Sequence, residues 1–560
     1  MATLSEALEI AIEHHQAGQL QAAEQIYRQI LEQDPKQPDA LHLLGVIAHQ
    51  TGHHEAAVEH IRRAIALRPL AASYFNNLGA AYRALGDLDQ VVACCRRAIE
   101  LKPDYSDACN NLGIALKDQG RLDEAIGCYQ DAIELSPGDA ALGSNLLYTL
   151  WFNPDYDAAA IHQEHRRWHE RHVAGLAKLI APHPNDRSPE RRLRVGYVSP
   201  DFRMHSVGRF LLPLLESHDR QQVEVICYAS VPVPDEMTER FRAAADVWRD
   251  VSALGDQQVA DMVRQDRIDI LVDLTMHMAG NRLLVFARKP APVQVTYLAY
   301  PGTTGLTTID YRLSDPYLDP PGREEPYYSE QTIRLPESYW CYRPVGDPPE
   351  VNELPALKAG HVTLACLNNF CKVTGPALAA WARVLKAVPG SRLILHARQG
   401  SHRRRVGNLF AERGIAAERV DFLDLLPTAE YLRVYQGVDV GLDSFPYGGG
   451  ATTCDALWMG VPVVSLAGST PIGRAGLSIL SNVGVPELVA RDAAEYVRIA
   501  TGLAGDLGRL AGLRAGLRER MRQSPLADPR RFAAGVEAAF RQMWRRWCDP
   551  AADAVSPPAC

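Results

Sequence analysis

Four prolines, Pro35, Pro69, Pro103 and Pro137, stand 34 residues apart, and that spacing restricts the first quarter of the chain to a repeat architecture. Gly18, Gly52, Gly86 and Gly120 keep the same period, as do Gly45, Gly79 and Gly113, and Ala64, Ala98 and Ala132. A small residue at fixed places in each period lets two antiparallel helices approach closely. A proline ends the second helix because it has no amide to donate. Units of this kind bury their apolar faces by stacking, so the segment predicts a helical solenoid with a concave face.

The pattern resembles the tetratricopeptide repeats: four repeats and a partial helix around 144–152, giving a repeat region over 1–152. Asn77, Asn111 and Asn145 occupy equivalent positions, with Leu43 at the same register one repeat earlier. A side-chain amide there can bind the backbone of an extended peptide whatever its side chains, or it can bond across the stack. Three amides in register point to a peptide groove.

After Asn153 the pattern changes. "AAAIHQEHRRWHERHVAGLAKLI" reads as a long amphipathic helix and "APHPNDRSPERR" as a polar linker, so 153–190 is a transition. Apolar runs bounded by polar or glycine residues then read as buried strands: "LRVGYVS", "EVICYAS", "DILVDLT" and "VQVTYLAY", and later "VTLACLNN", "RLILHA", "VDFLDL", "DVGLDSF" and "PVVSL". The expected organisation is one α/β lobe over 191–345, a proline- and glycine-rich connector over 346–360, a second lobe over 361–547 and a flexible tail over 548–560. Each lobe is expected to be a doubly wound parallel sheet, with ligands bound beyond the carboxyl ends of its strands. Two such lobes facing each other form a cleft.

Composition narrows the function. A formal net charge of −8 over 560 residues argues against a general grip on nucleic acid, and the run His402, Arg403, Arg404, Arg405 reads as a solvated helix face. Eleven cysteines without a CxxC pair or zinc spacing read as reduced thiols. The first residues carry Glu6, Glu9 and Glu13 where a signal peptide is basic, and no stretch offers the roughly 18 apolar residues that span a bilayer. The expectation is a soluble cytoplasmic protein with neither a membrane nor a nucleic-acid partner.

The segment "SFPYGGGATTCDALWMGVPVV", Ser444 to Val464, places Gly448, Gly449 and Gly450 between a strand and a helix. Bare amides at the positive end of a helix dipole suit an anion, phosphate above all. Thr452 or Thr453 has the simpler reading of a helix cap, and Asp455 that of a first-turn carboxylate. Neither a Walker A nor a GxGxxG pattern is present, which weakens kinase, ATPase and dehydrogenase readings. A DxD pattern at Asp87 and Asp89 falls in a repeat turn and reads as loop solvation.

Together "LRVGYVSPDFRMHS", "LAYPGTTG", "LNNFCKVTG" and "DSFPYGGGATTCDALWMGVPVV" resemble, in order, the motifs of the O-linked N-acetylglucosamine transferases and their plant SPINDLY-type relatives, which also carry N-terminal repeats. The resemblance implies a GT-B fold of two Rossmann-like lobes holding a nucleotide sugar, UDP-GlcNAc, without a metal. It gives Lys372 the diphosphate, with Asn369 nearby and the amides and hydroxyls of Gly450, Ala451, Thr452 and Thr453 as further donors. It gives Asp455 the ribose hydroxyls and Tyr431 a place near the base. Leu298, Ala299 and Pro301 are put beside the sugar with His277 close by. His205 and Asp201 are put at the reacting centre, and His172 is a further histidine considered for the base; a water chain to phosphate is another. Ala451 replaces the usual threonine, Tyr431 a histidine of the animal enzymes, and Met276 and Met278 smaller or polar residues. The implied activity is inverting transfer of N-acetylglucosamine to serine or threonine of proteins delivered by the repeats. The alternatives are a fucosyltransferase using GDP-fucose, another acceptor such as asparagine or a glycan, and a nucleotide-binding repeat scaffold without turnover.

Overall fold

The computed structural model describes residues 3–549. Of the expected tail, 550–560 lie outside the described residues. The chain divides into two compact units: one runs to Leu142 and takes in Ala397–Asn408, and the other holds Gly143–His396 and the chain from Leu409.

The first unit carries helix pairs Leu4–Gln16 with Leu20–Gln33, Pro38–Gln50 with His54–Leu67, Ala72–Leu85 with Leu88–Leu101, and Ser106–Asp118 with Leu122–Leu135. Gly18, Gly52, Gly86 and Gly120 turn the chain within each pair at φ of 74, 85, 81 and 69°, where a side chain is strained. The second glycine column has a different cause. A Cβ on Gly45 would lie 2.6 Å from Ile61, and one on Gly113 would lie 2.7 Å from the Tyr129 ring. Ala64, Ala98 and Ala132 are fully buried.

Two sequence readings change here. Asp89 is no solvated turn residue: it accepts from the Ser401 amide at 2.9 Å, the Ser401 hydroxyl at 2.6 Å and Gln119 Nε2 at 2.8 Å. The run from His402 is a solvated face only in part. His402 is fully buried and Arg403 is half-buried and donates to the carbonyls of Ala397 and Arg398, whereas Arg404 and Arg405 are exposed, Arg405 donating to the carbonyl of Gln119. Local polarity suggested solvent, whereas contacts distant in sequence supplied partners.

In the second unit, after helix Ala158–His172, come two sheets in which every pairing is parallel. The first contains β1 (Leu193–Ser199), β2 (Val223–Ala229), β3 (Val247–Asp250), β4 (Ile270–Asp273), β5 (Val293–Thr296), β6 (Tyr311–Ser314) and β7 (Gln331–Arg334), in the order β3-β2-β1-β4-β5-β6-β7. The second contains β8 (Thr363–Cys366), β9 (Arg392–His396), β10 (Val420–Leu423), β11 (Val440–Leu442), β12 (Val463–Leu466) and β13 (Val489–Ala490), in the order β10-β9-β8-β11-β12-β13. In both, the order reverses beside the first strand, between β1 and β4 and between β8 and β11. At such a switch point the loops leaving adjacent strands diverge and open a crevice. The strands absent from the sequence reading, β3, β6, β7 and β13, are four residues or fewer, and β3 and β7 lie at a sheet edge with polar sequences that carry no apolar run.

Candidate active site

The loops that leave β1, β5, β8 and β11 converge on a cavity of about 330 Å³. His205 follows β1, Leu298, Ala299 and Pro301 follow β5, Asn369 and Lys372 follow β8, and Gly450, Ala451 and Thr452 follow β11; all nine line it. A second cavity of about 320 Å³ shares His205, Ser206, Leu367 and His396 with the first and is closed by Arg209, Tyr431 and a leucine-rich wall.

Lys372 is the cation of the first cavity. Its Nζ donates to the Gly448 carbonyl at 3.0 Å and lies 4.0 Å from the centroid of the Tyr447 ring. No carboxylate among the described residues lies within ion-pair distance of it; burial pushes its pKa down, while Asp443 acts in the opposite sense from farther away. A half-buried ammonium without a counter-charge is costly, and an anion in the cavity relieves that cost.

The glycine turn now has a structural cause. A Cβ on Gly449 would lie 2.6 Å from Thr453 Oγ1, 2.7 Å from Thr452 Oγ1 and 2.8 Å from Asn368 Oδ1. The Gly449 amide, expected to face an anion, is spent on Asp443 Oδ1 at 2.7 Å, and the Gly448 amide on the Ile472 carbonyl at 3.4 Å. Asp443 anchors the turn, also accepting from Asn368 at 3.0 Å and Ser465 at 2.7 Å; Asn368 in turn accepts from the Thr452 hydroxyl. Helix Ala451–Trp458 starts at Gly450 without a side-chain cap. The amides of its first turn are thereby left for a ligand, with the helix dipole behind them.

His205 stands at the N-terminal boundary of helix Ser206–Ser217, where its Nδ1 lies 3.3 Å from both the Val207 amide, for which it would have to accept, and Asp201 Oδ2, to which it would donate. The carboxylate is the stronger partner. Burial lowers the His205 pKa and raises that of Asp201, so the imidazole is uncharged near neutrality. With Nδ1–H directed at Asp201, Nε2 is a base. Leu298 takes φ of 79°, strained for a leucine, and its amide is held by the Tyr339 hydroxyl at 2.6 Å.

Other expected residues sit elsewhere. His277 is fully buried, with Nδ1 3.0 Å from Ser144 Oγ and Nε2 2.8 Å from the Thr304 carbonyl, so both ring nitrogens are engaged away from the cavity; Met278 lines it instead. His172 ends its helix against Trp168 and lines neither cavity, nor do Asp201, Thr453 and Asp455. Asp455 is 1% exposed and takes Arg209 and the Tyr342 hydroxyl, the latter at 2.8 Å. Tyr431 lines the second cavity with its hydroxyl 2.8 Å from that of Tyr435. In the repeats, Asn77 Nδ2 donates to His42 at 2.9 Å and Asn111 Nδ2 to Asn76 at 2.9 Å, while Asn145 belongs to the second unit. Tyr148, Phe210, Trp340 and Tyr447 line the first cavity without having been singled out. Each reads as an ordinary core aromatic, and no local signal separates it from one.

Helical repeats joined to two parallel sheets, with a cationic, amide-rich cavity at the sheets' switch points, define a repeat-bearing α/β protein. The chain belongs to glycosyl transferase family 41, which matches residues 145–351 and 352–536. Tetratricopeptide repeats match 8–72, 72–105 and 106–139. A relative from Petunia hybrida, named as a probable UDP-N-acetylglucosamine–peptide N-acetylglucosaminyltransferase SPINDLY, is 40% identical over 73% of this chain and 44% of its own length. The UDP-N-acetylglucosamine–peptide N-acetylglucosaminyltransferase of Caenorhabditis elegans is 25% identical over 67% of this chain and 43% of its own. The chain thus spans less than half the length of these curated relatives. A solved structure of a mutant O-GlcNAc transferase from Thermobaculum terrenum is 38% identical, with a TM-score of 0.86 over 92% of this chain and 98% of that one.

Proposed function

We propose that this protein transfers N-acetylglucosamine from UDP-GlcNAc to serine or threonine of protein acceptors, with inversion, on a GT-B fold. The observation that carries the reading is Lys372, an ammonium without a carboxylate partner, in the same cavity as the uncapped start of helix Ala451–Trp458. The acceptor oxygen bonds to the anomeric carbon as the bond from that carbon to the diphosphate oxygen breaks, so UDP leaves with both electrons. Lys372 and the first-turn amides stabilise the charge that grows there, and such groups need no metal. His205, lining the cavity, takes the acceptor proton on Nε2, and Asp201 orients the ring. The second cavity receives the nucleoside beside Tyr431, and Leu298, Ala299 and Pro301 border the sugar. The side-chain oxygens of Asn77 and Asn111 are suited to peptide amides, which supports the repeats as the acceptor-binding surface.

Calorimetric titration with UDP, GDP and their sugar conjugates, run in a chelator, tests this. UDP binding that falls at least tenfold in Lys372→Ala, with melting unchanged, is the expected result. A preference for GDP overturns the UDP-GlcNAc assignment, absence of nucleotide binding leaves only a scaffold, and transfer abolished by the chelator removes the metal-free mechanism.

A further inference from the structure

The chain that leaves β5 lines the first cavity from Leu298 to Pro301, and both ends of that arc are held by side chains that do not line it. At the near end Leu298 takes its φ of 79° with its amide donating to the Tyr339 hydroxyl at 2.6 Å. A leucine keeps such a conformation only where its surroundings impose it. At the far end the Gly302 carbonyl accepts from Arg312 Nε at 2.7 Å, and the next two residues, Thr303 and Thr304, are buried.

Those two threonines are gripped by Glu330, a buried residue immediately before β7 and two places from β5 in the sheet. Its Oε2 accepts from the Thr303 hydroxyl at 2.6 Å, and its Oε1 accepts from the Thr304 amide at 2.8 Å and from the Thr304 hydroxyl. The Thr303 oxygen already accepts from the Ser329 amide at 3.2 Å and the Gly305 amide at 3.3 Å, so its hydroxyl hydrogen must go to Glu330. His277 holds the other end of Thr304, with Nε2 2.8 Å from its carbonyl. A carbonyl only accepts, so Nε2 carries the proton and Nδ1 accepts from the Ser144 hydroxyl at 3.0 Å. Neither Glu330 nor His277 lines either cavity.

We propose that Glu330 and His277 are positioning residues for recognition of the donor's sugar: by clamping Thr303 and Thr304 they fix the arc from Leu298 to Pro301 that borders it. This rests on the transferase reading above. A backbone arc held in one place separates sugars that differ only in where a hydroxyl points, and a loosened arc does so less well. Glu330→Gln is the incisive change because it keeps the shape. One position of the side chain faces the Thr304 amide and the other faces a hydroxyl that must donate, so the new NH2 meets a donor whichever way it turns.

The test is calorimetric titration of the full chain with UDP, UDP-GlcNAc and its 4-epimer UDP-GalNAc, with thermal melting recorded for each variant. The unaltered protein is expected to favour UDP-GlcNAc over the epimer by about tenfold or more. Glu330→Gln is expected to cut that ratio at least fivefold through weaker UDP-GlcNAc binding, with UDP affinity within twofold, and Glu330→Asp, which keeps a carboxylate, to restore part of it. His277→Phe is expected to lower the ratio in the same way. If Glu330→Gln does not fold, Thr303→Val, which removes one donor to the carboxylate, decides the matter by the same ratio. An unchanged ratio in a folded variant overturns the proposal, as does an equal loss of all three ligands, which marks a purely structural role. An unaltered protein that binds UDP but does not separate the epimers overturns it too and leaves the transferase reading standing. If the unaltered chain binds neither UDP nor UDP-GlcNAc, that reading falls and this proposal with it.

Discussion

At the scale of single residues, Asp201 and His205 alter one another's titration. Burial lowers the imidazole pKa and the neighbouring carboxylate pulls it back up. A base must be uncharged, so the acid limb of kcat/KM follows the His205 pKa. Asp201→Asn removes the upward pull, and the acid limb is expected to move to lower pH while the plateau falls because the ring loses its orienting acceptor. His205→Ala is expected to lower kcat by about 10²- to 10⁴-fold, the usual worth of a positioned base. Rates measured between about pH 5 and 8 decide it: a limb unmoved in Asp201→Asn assigns that limb to another group. His205 and Lys372 were legible because their motifs are local. His277 was misplaced because one residue along the chain at a strand end decides between the cavity and the core, and Met278 takes the cavity.

At the scale of elements, the start of helix Ala451–Trp458 was legible from three glycines, but the division of labour among them was not. Gly449 is required by the close approach of two threonines and Asn368, whereas a Cβ on Gly450 would meet nothing nearer than 3.8 Å. The repeat column shows a similar mixture, since the amide nitrogens of Asn77 and Asn111 bond to the preceding repeat. If their oxygens serve acceptors, Asn77, Asn111 and Asn145 changed together to Ala will raise KM for protein acceptors at least tenfold and that for short peptides far less. Equal effects on both would remove the groove. The hydrogen bonds from Asn111 and Asn77 join residues 35 apart, one more than the repeat, so the sequence period placed the column but not its partners.

At the scale of the molecule, burial sets an acid limit for both units. His42 and His402 in the first unit and His165 in the second are all pushed down to about 4 by desolvation. The unfolded chain binds these protons near pH 6.5, so each histidine's contribution is complete above that value and is lost as pH falls toward 4, a shift worth roughly 3 kcal/mol for a fully buried ring. In the second unit Asp273 opposes the trend. Burial raises its carboxyl to about 6, so its contribution is present at low pH and lost as pH rises through 6. His183 and His277 add to the second unit, the former pushed down to about 4 and the latter well below its ordinary value by burial, so both units are expected to lose stability as pH falls from about 6.5 toward 4. All eight tryptophans lie in the second unit, so their fluorescence reports it alone. Helical circular dichroism and tryptophan fluorescence are both expected to fall in that range, and signals unchanged down to about pH 4 would refute the contribution of the buried histidines. By itself the sequence determined the repeats, the buried strands and the motif-bearing loops, because each is written in a period or a run a few residues long. The tertiary structure decided the Arg209–Asp455 tie, which joins residues 246 apart, the grip of Asp89 on Ser401, which spans 312, and the burial of His277. Such choices depend on which polar groups meet once each unit has packed, and no local pattern encodes that meeting.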